Sequence, residues 1–116
     1  MNATYAHLTQ QQLDLLSSCE ALARDVLAPV SRAGLPGHVN RPLVVALGEH
    51  ELLVRVLRPR GDMPAVELCL IREGLARHSP ESETAFAVQC LGAYPLLAAA
   101  RPEFSSIWMP RIAVGS

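Results

Sequence analysis

Leu13, Leu16, Cys19, Ala23, Val26, Leu27 and Val30 recur at steps of three and four residues. A half-buried strand would alternate by two; this spacing stacks apolar side chains on one face of a helix. The residues before it read as a helix start. In Leu8-Thr9-Gln10-Gln11-Gln12, Thr9 can accept the Gln12 amide while the Gln12 side chain reaches back, which is a capping box. Leu8 and Leu13 have the spacing of a hydrophobic staple. Pro29 and Gly34 are expected to close this helix.

The same punctuation repeats along the chain. Gly34-Leu35-Pro36-Gly37-His38 reads as a turn. Asn40 is a good N-cap, with Pro42 in the first turn of a short second helix carrying Leu43, Val44 and Leu47. Gly48 weakens that helix or marks its end. The run from Leu52 to Leu57 is rich in branched residues and reads as extended. After a loop at Arg58-Pro59-Arg60-Gly61-Asp62, Asp62 or Met63 can cap a third helix, with Pro64 near its first position and Val66, Leu70, Ile71 and Leu75 on its inner stripe. Ser79-Pro80-Glu81 starts a fourth helix, with a hydroxyl cap, a first-turn proline and an acid at the positive helix end. Arg101-Pro102-Glu103 is another boundary, and Gly115 fits a C-terminal cap. The expected fold is all-α, an antiparallel up-and-down bundle of four to five helices in one domain over residues 1–116.

Charged residues make up 18% of the 116 positions, against about 25% in ordinary soluble domains. Either the core is unusually large, or another chain or domain covers part of the apolar surface. The net charge of -1 and the absence of a basic run give no footing for nucleic acid. No apolar stretch approaches the ~20 residues of a membrane span, and the N-terminus has no signal-peptide pattern. Cys19, Cys69 and Cys90 are odd in number and lack metal spacing, so they read as buried thiols of a reducing, cytoplasmic compartment. All ten basic residues are arginine, which reads as the codon bias of a GC-rich bacterial genome.

Four stretches carry a family resemblance. Leu22-Ala23-Arg24-Asp25-Val26-Leu27-Ala28-Pro29 is similar to the end of the first helix of acyl-CoA dehydrogenases. Leu43-Val44-Val45-Ala46-Leu47-Gly48-Glu49-His50-Glu51-Leu52-Leu53 resembles that family's "ALGELGLLG" segment, and Arg72-Glu73-Gly74-Leu75-Ala76-Arg77 its "EELAR" helix end. Leu91-Gly92-Ala93-Tyr94-Pro95 and Trp108-Met109-Pro110-Arg111-Ile112 resemble its "LGAYP" and "WLPRLASGE" blocks at the expected separation. Together they span nearly the whole chain and point to the family's N-terminal helical domain.

The resemblance implies that the complete enzyme is an FAD-dependent oxidoreductase of fatty acid metabolism. There a carboxylate takes the α-proton of an acyl thioester while flavin takes the β-hydride. It also implies that flavin contacts and catalytic base come from a following β-domain and a C-terminal helical domain, in the same or a separate chain. This sequence holds no "TEP…GSD"-type segment and no glycine-rich phosphate loop. No cofactor is therefore expected in this chain alone, and no activity without its partner.

Aligned on Leu91-Gly92, the resemblance places Glu83, Thr84 and Ala87 along the acyl-chain end of the cavity, with Val88 and Leu91 as their neighbours, and the five together are the expected acyl-pocket residues. Glu83 and Ala87 share one helical face, as do Thr84, Val88 and Leu91. The competing reading makes Ala87 and Val88 ordinary core and Glu83 a solvated charge. Nothing in the sequence supplies the raised pKa that would make Glu83 a base, so no catalytic residue and no metal ligand is assigned. His7, His38, His50 and His78 read as surface or capping residues, and Arg60-Gly61-Asp62 as a chance adhesion tripeptide. Pro95 either kinks its helix beside the cavity or ends it early. Phe104 and Trp108, four apart, are either core or an interface for a missing domain. The 56–62 stretch departs from the family, which there carries a Pro-Glu-x-Tyr-Gly-Gly-like segment; two arginines replace its acid, aromatic and paired glycines. Three functions remain open: part of a dehydrogenase, a self-associating non-catalytic module, and a free bundle that binds an acyl chain.

Overall fold

The computed structural model describes residues 3–58 and 64–116. A short turn at Ala3–Tyr5 leads into α1 (Gln10–Leu22), which continues through a π-helical turn at Ala23–Leu27 into α2 (Ala28–Arg32). Then follow α3 (Arg41–Glu49), α4 (Leu52–Val56), α5 (Ala65–Ala76), α6 (Pro80–Ala99) and α7 (Pro102–Ala113). No strand occurs among the described residues, and none of their helices is long and apolar enough to cross a membrane. The all-α expectation holds.

The helix starts follow the local chemistry. Thr9 Oγ1 accepts the Gln12 amide at 3.2 Å and Gln12 Oε1 accepts the Thr9 amide at 2.9 Å, closing the expected capping box. Asn40 Oδ1 accepts the Leu43 amide at 3.2 Å, and its amide nitrogen also donates to the Val30 carbonyl at 3.0 Å, tying the start of α3 to the end of α2. Ser79 sits at the N-cap of α6, but its side chain does not bond the backbone as expected. It pairs instead with Ser82 Oγ at 2.6 Å, and both hydroxyls are buried, so each needs the other. At the end of α7, Gly115 has φ 77°. Its amide donates to the Ile112 carbonyl and the Ser116 amide to the Arg111 carbonyl, which is a Schellman closure.

Several sequence expectations are corrected. Pro29 does not close the first helix, which runs on to Arg32. Pro29 follows the π-turn, and the carbonyls it would have bonded belong to Arg24 and Asp25, both exposed. The wider turn also rotates Val26 out of the apolar face: it is 37% exposed while Ala23 and Leu27 are fully buried. The Leu52–Val56 run is a helix and not extended. Leu52, Leu53, Val56 and Leu57 are all buried, an i, i+1, i+4, i+5 set that belongs to one helical face. Glu51, at φ 61°, makes the sharp turn that separates it from α3. Val66 does not belong to the inner stripe of α5; it is exposed, while Leu70, Ile71 and Leu75 are buried. The expected loop and caps at residues 59–63, including Arg60-Gly61-Asp62, lie outside the described residues.

One continuous core joins the helices. Leu15, Leu16 and Cys19 meet Leu70, Ile71 and Leu75 of α5, with Leu47, Leu53 and Phe86 fully buried at its centre. Burying a side chain the size of Phe86 is worth about 1.5–3 kcal/mol. The α1–α5 contact is close because Gly74 allows it: a Cβ there would lie 2.7 Å from Cys19 Cβ and 2.9 Å from the Leu16 carbonyl oxygen. Near the other end of α5, Glu67 lies beside the first half of α1 while Arg77 reaches Glu20, so these two helices run in the same direction. Gly48 does not end α3; it is where the C-terminal turn packs, since a Cβ there would lie 2.3 Å from the Val114 carbonyl carbon. Cys19 and Cys90 are buried, and burial pushes both thiols up to about 11. Cys69 is exposed, contrary to the expectation that all three are buried.

Candidate functional site

α6 is the helix that organises the exposed part of the molecule. It continues through Pro95 to Ala99, so the proline does not end it early. The carbonyl that Pro95 leaves without its helical donor belongs to Leu91, a residue that is 75% exposed. The inner face of α6 buries Phe86, Cys90 and Ala93; the outer face shows Val88, Leu91 and Tyr94 to solvent.

Two grooves run along that outer face. One, of about 410 Å³, lies between α5 and α6. It brings together all five residues expected at an acyl pocket: Glu83, Thr84, Ala87, Val88 and Leu91. The structure adds Leu68 and Arg72 from α5, and Cys90 and Tyr94 from α6. Leu68 and Arg72 are legible only once the pairing of α5 with α6 is known, whereas Cys90 and Tyr94 follow Ala87 and Leu91 by three residues on the same helix and helical spacing could have found them. The second groove, of about 690 Å³, lies between α6 and the loop leading to α3, under Leu35, Val39 and Leu43. Thr84 and Val88 line both, so they form the ridge between the two grooves. Val88 is 57% exposed and is not core, whereas Ala87 is half-buried.

Glu83 is not a freely solvated charge. Its side chain is only 18% exposed, and Oε1 accepts a hydrogen bond from Arg72 Nε at 2.6 Å. That bond, and the charge behind it, raise the Arg72 pKa above its already high ordinary value. The Thr84 hydroxyl stands 3.5 Å from Glu83 Oε2, at the limit of a hydrogen bond. The groove is thus apolar along Leu68, Ala87, Val88 and Leu91, and polar at the Arg72–Glu83 end nearer the α5–α6 link.

A second polar cluster is structural in character. Arg77 donates to Glu20 at 2.8 Å, to Glu73 at 2.9 Å and to the Tyr5 hydroxyl at 2.7 Å, and its guanidinium lies 5.9 Å from the Tyr5 ring centroid. Tyr5 also donates to Glu73, which raises the Tyr5 pKa, while Arg77 and then His78 draw the Glu20 pKa down. The cluster pins the N-terminal turn and α1 to the end of α5.

The family model for the N-terminal domain of acyl-CoA dehydrogenase matches residues 9–116. The chain belongs to that family. No curated protein and no solved structure matches it. The matched range takes in every helix from α1 to α7 and both grooves, so the acyl-CoA dehydrogenase N-terminal domain accounts for the bundle as a whole.

The acyl-CoA dehydrogenase family implies a flavin, and the residues beside α6 do not by themselves fit one. A flavin dinucleotide needs cations or converging backbone amides at its pyrophosphate. In the groove between α5 and α6 the cation is Arg72, already bonded to Glu83. In the other, Asn40 is spent on the Val30 carbonyl and the Leu43 amide. His7, His38, His50 and His78 are all exposed, and no metal-holding cluster occurs among the described residues.

On α7, Phe104, Ile107 and Trp108 are 55%, 53% and 47% exposed, and Arg111 lies 5.4 Å from the Trp108 ring centroid. Met109 is the buried contact of this helix. Phe104 and Trp108 are therefore not core. They share one outward stripe at three- and four-residue spacing.

Proposed function

We propose that this chain supplies the acyl-lining helical wall of an acyl-CoA dehydrogenase-type flavoprotein. The proton-abstracting carboxylate and most of the flavin site come from polypeptide that packs over α6 and α7, continuous with this chain or separate from it. The observation that carries the reading is the α5–α6 groove, which gathers Thr84, Ala87, Val88 and Leu91 along a largely apolar channel with Glu83 at its polar end. Family membership supports a dehydrogenase reaction, which the reading takes as α,β-dehydrogenation of an acyl thioester.

The role of these residues is to bind and to exclude water. Val88 and Leu91 cover the acyl chain, and Ala87 leaves it room. Once the outer face of α6 is covered, the chain's desolvation contributes about 0.8 kcal/mol per buried methylene. A dry wall also keeps water from the reacting carbons. Flavin, when held by the rest of the enzyme, supplies the hydride acceptor.

Ala87→Trp fills the channel at its half-buried midpoint. In the assembled enzyme it is expected to raise KM for long acyl thioesters at least tenfold and to leave short ones nearly unchanged. An equal effect on every chain length, or none, contradicts the groove as the acyl site.

A second reading, self-association as a non-catalytic module, rests on the outward Phe104, Ile107 and Trp108 stripe. It requires a concentration-dependent dimer that Trp108→Ser abolishes, measured by sedimentation.

A further inference from the structure

The α5–α6 groove is not uniformly apolar, and its polar end has a specific composition. Arg72 spends Nε on Glu83 and keeps two further NH2 groups on a side chain that is 49% exposed. Glu83 spends Oε1 on Arg72 and keeps Oε2, whose nearest donor is the Thr84 hydroxyl at the long distance of 3.5 Å. The end of the channel therefore offers one donor edge and one acceptor atom, with no net charge. A plain methyl terminus packed there displaces water from both groups and replaces none of its hydrogen bonds. A carboxylate gains Arg72 but faces Glu83, and an ammonium the reverse. A hydroxyl or a primary amide both donates and accepts, so it satisfies the two groups without adding charge.

We propose that the acyl group taken by this groove carries a neutral hydrogen-bonding group, a hydroxyl or a primary amide, on its distal part, read by the Arg72–Glu83 pair. This rests on the acyl-wall reading above and names the substrate class for the same site. Leu68, Ala87, Val88 and Leu91 hold the aliphatic stem, and the ion pair selects its end. Because Arg72 stays half exposed, water weakens the discrimination, which is about threefold.

The test uses the assembled enzyme, with this chain nitrogen-labelled and the outer face of α6 covered, and three soluble pantetheine thioesters: octanoyl, omega-hydroxyoctanoyl and omega-carboxyoctanoyl. Amide shifts of Ala87, Val88 and Leu91, with the Arg72 Nε–H, report binding, and the rest of each spectrum reports the fold. The hydroxy compound is expected to bind about threefold tighter than the plain one, with the Arg72 Nε–H shifting for the hydroxy compound alone. Glu83→Gln should bring the ratio towards one. A plain chain that binds as well as or better than the hydroxy one, while moving the same amides, overturns the proposal and leaves the acyl-wall reading standing. Tightest binding of the carboxylate also overturns it, since the pair would then act as a cation. If none of the three moves these amides, the acyl-wall reading falls and the proposal with it.

Discussion

Glycines at four helical or capping positions show how differently one residue type can be constrained. Gly74 and Gly48 are held by backbone or Cβ atoms of neighbouring elements within 3 Å of where their own Cβ would be. Gly115 combines φ 77° with a Cβ position 2.4 Å from the Val44 carbonyl oxygen. Gly92 has open space around it in the middle of α6. Gly92→Ala is therefore expected to stabilise the fold by about 0.5–1 kcal/mol through helix propensity. Gly74→Ala is expected to cost about 1–3 kcal/mol by forcing α1 and α5 apart. Urea unfolding of the two variants measures both; the opposite ranking would contradict the close α1–α5 contact. The cysteines give a pH signature. Unfolded thiols ionise near 9, whereas buried Cys19 and Cys90 resist ionisation up to about 11. Their contribution is fully present below pH 9 and is lost as pH rises to about 11, because the unfolded chain releases its protons first. Chemical unfolding across that range should show the decline, and a flat profile would contradict the burial of these thiols.

At the scale of elements, helix ends were more legible than helix faces. The capping box at Thr9, the Asn40 cap on Leu43 and the Gly115 closure rest on contacts three to five residues apart, so the sequence carries them in full. The misreadings come from backbone turns that leave no mark in the sequence and from packing between elements. Leu52–Val56 looked extended because the left-handed turn at Glu51 that starts the helix has no glycine or asparagine to announce it. Val26 and Pro29 were misplaced because a π-turn leaves no clear mark in apolar spacing. The five acyl-pocket candidates lie on one helix and could be aligned along it; Leu68 and Arg72 on α5 became visible only through packing. The Arg77 cluster is likewise non-local, joining the N-terminal turn, α1 and α5. Its Glu20 has a folded pKa below the ordinary 4.5, so its contribution is present above that pH and is lost as pH falls through the lower folded value. Arg77→Met is expected to flatten the stability change below pH 4.5, as followed by thermal unfolding between neutral and acid pH. An unchanged acid limb would mean that Arg77 is not what holds Glu20 charged.

At the scale of the whole molecule, shape explains why so much apolar surface is left over. The principal extents are 46 × 36 × 19 Å, and the short one is about two helix diameters. A two-layer slab cannot enclose both faces of α6 or α7. The accessible surface is 7371 Å², against roughly 6,200 Å² for a compact monomer of this mass. The excess of about 1,200 Å² is comparable to one protein interface. The exposed large apolar residues include Val88, Leu91 and Tyr94 on α6 and Phe104, Ile107 and Trp108 on α7. The low charge of the sequence is thus accounted for by an uncovered surface as well as by a core. The most direct measurement is reconstitution with a flavin-bearing β-domain and C-terminal helical partner, followed on a sizing column and by anaerobic spectroscopy. The expected result is a yellow complex containing this chain, whose flavin bleaches when a saturated acyl thioester is added. A colourless chain that elutes apart from the flavin-bearing partner would contradict the proposal that these helices are one wall of a shared acyl pocket.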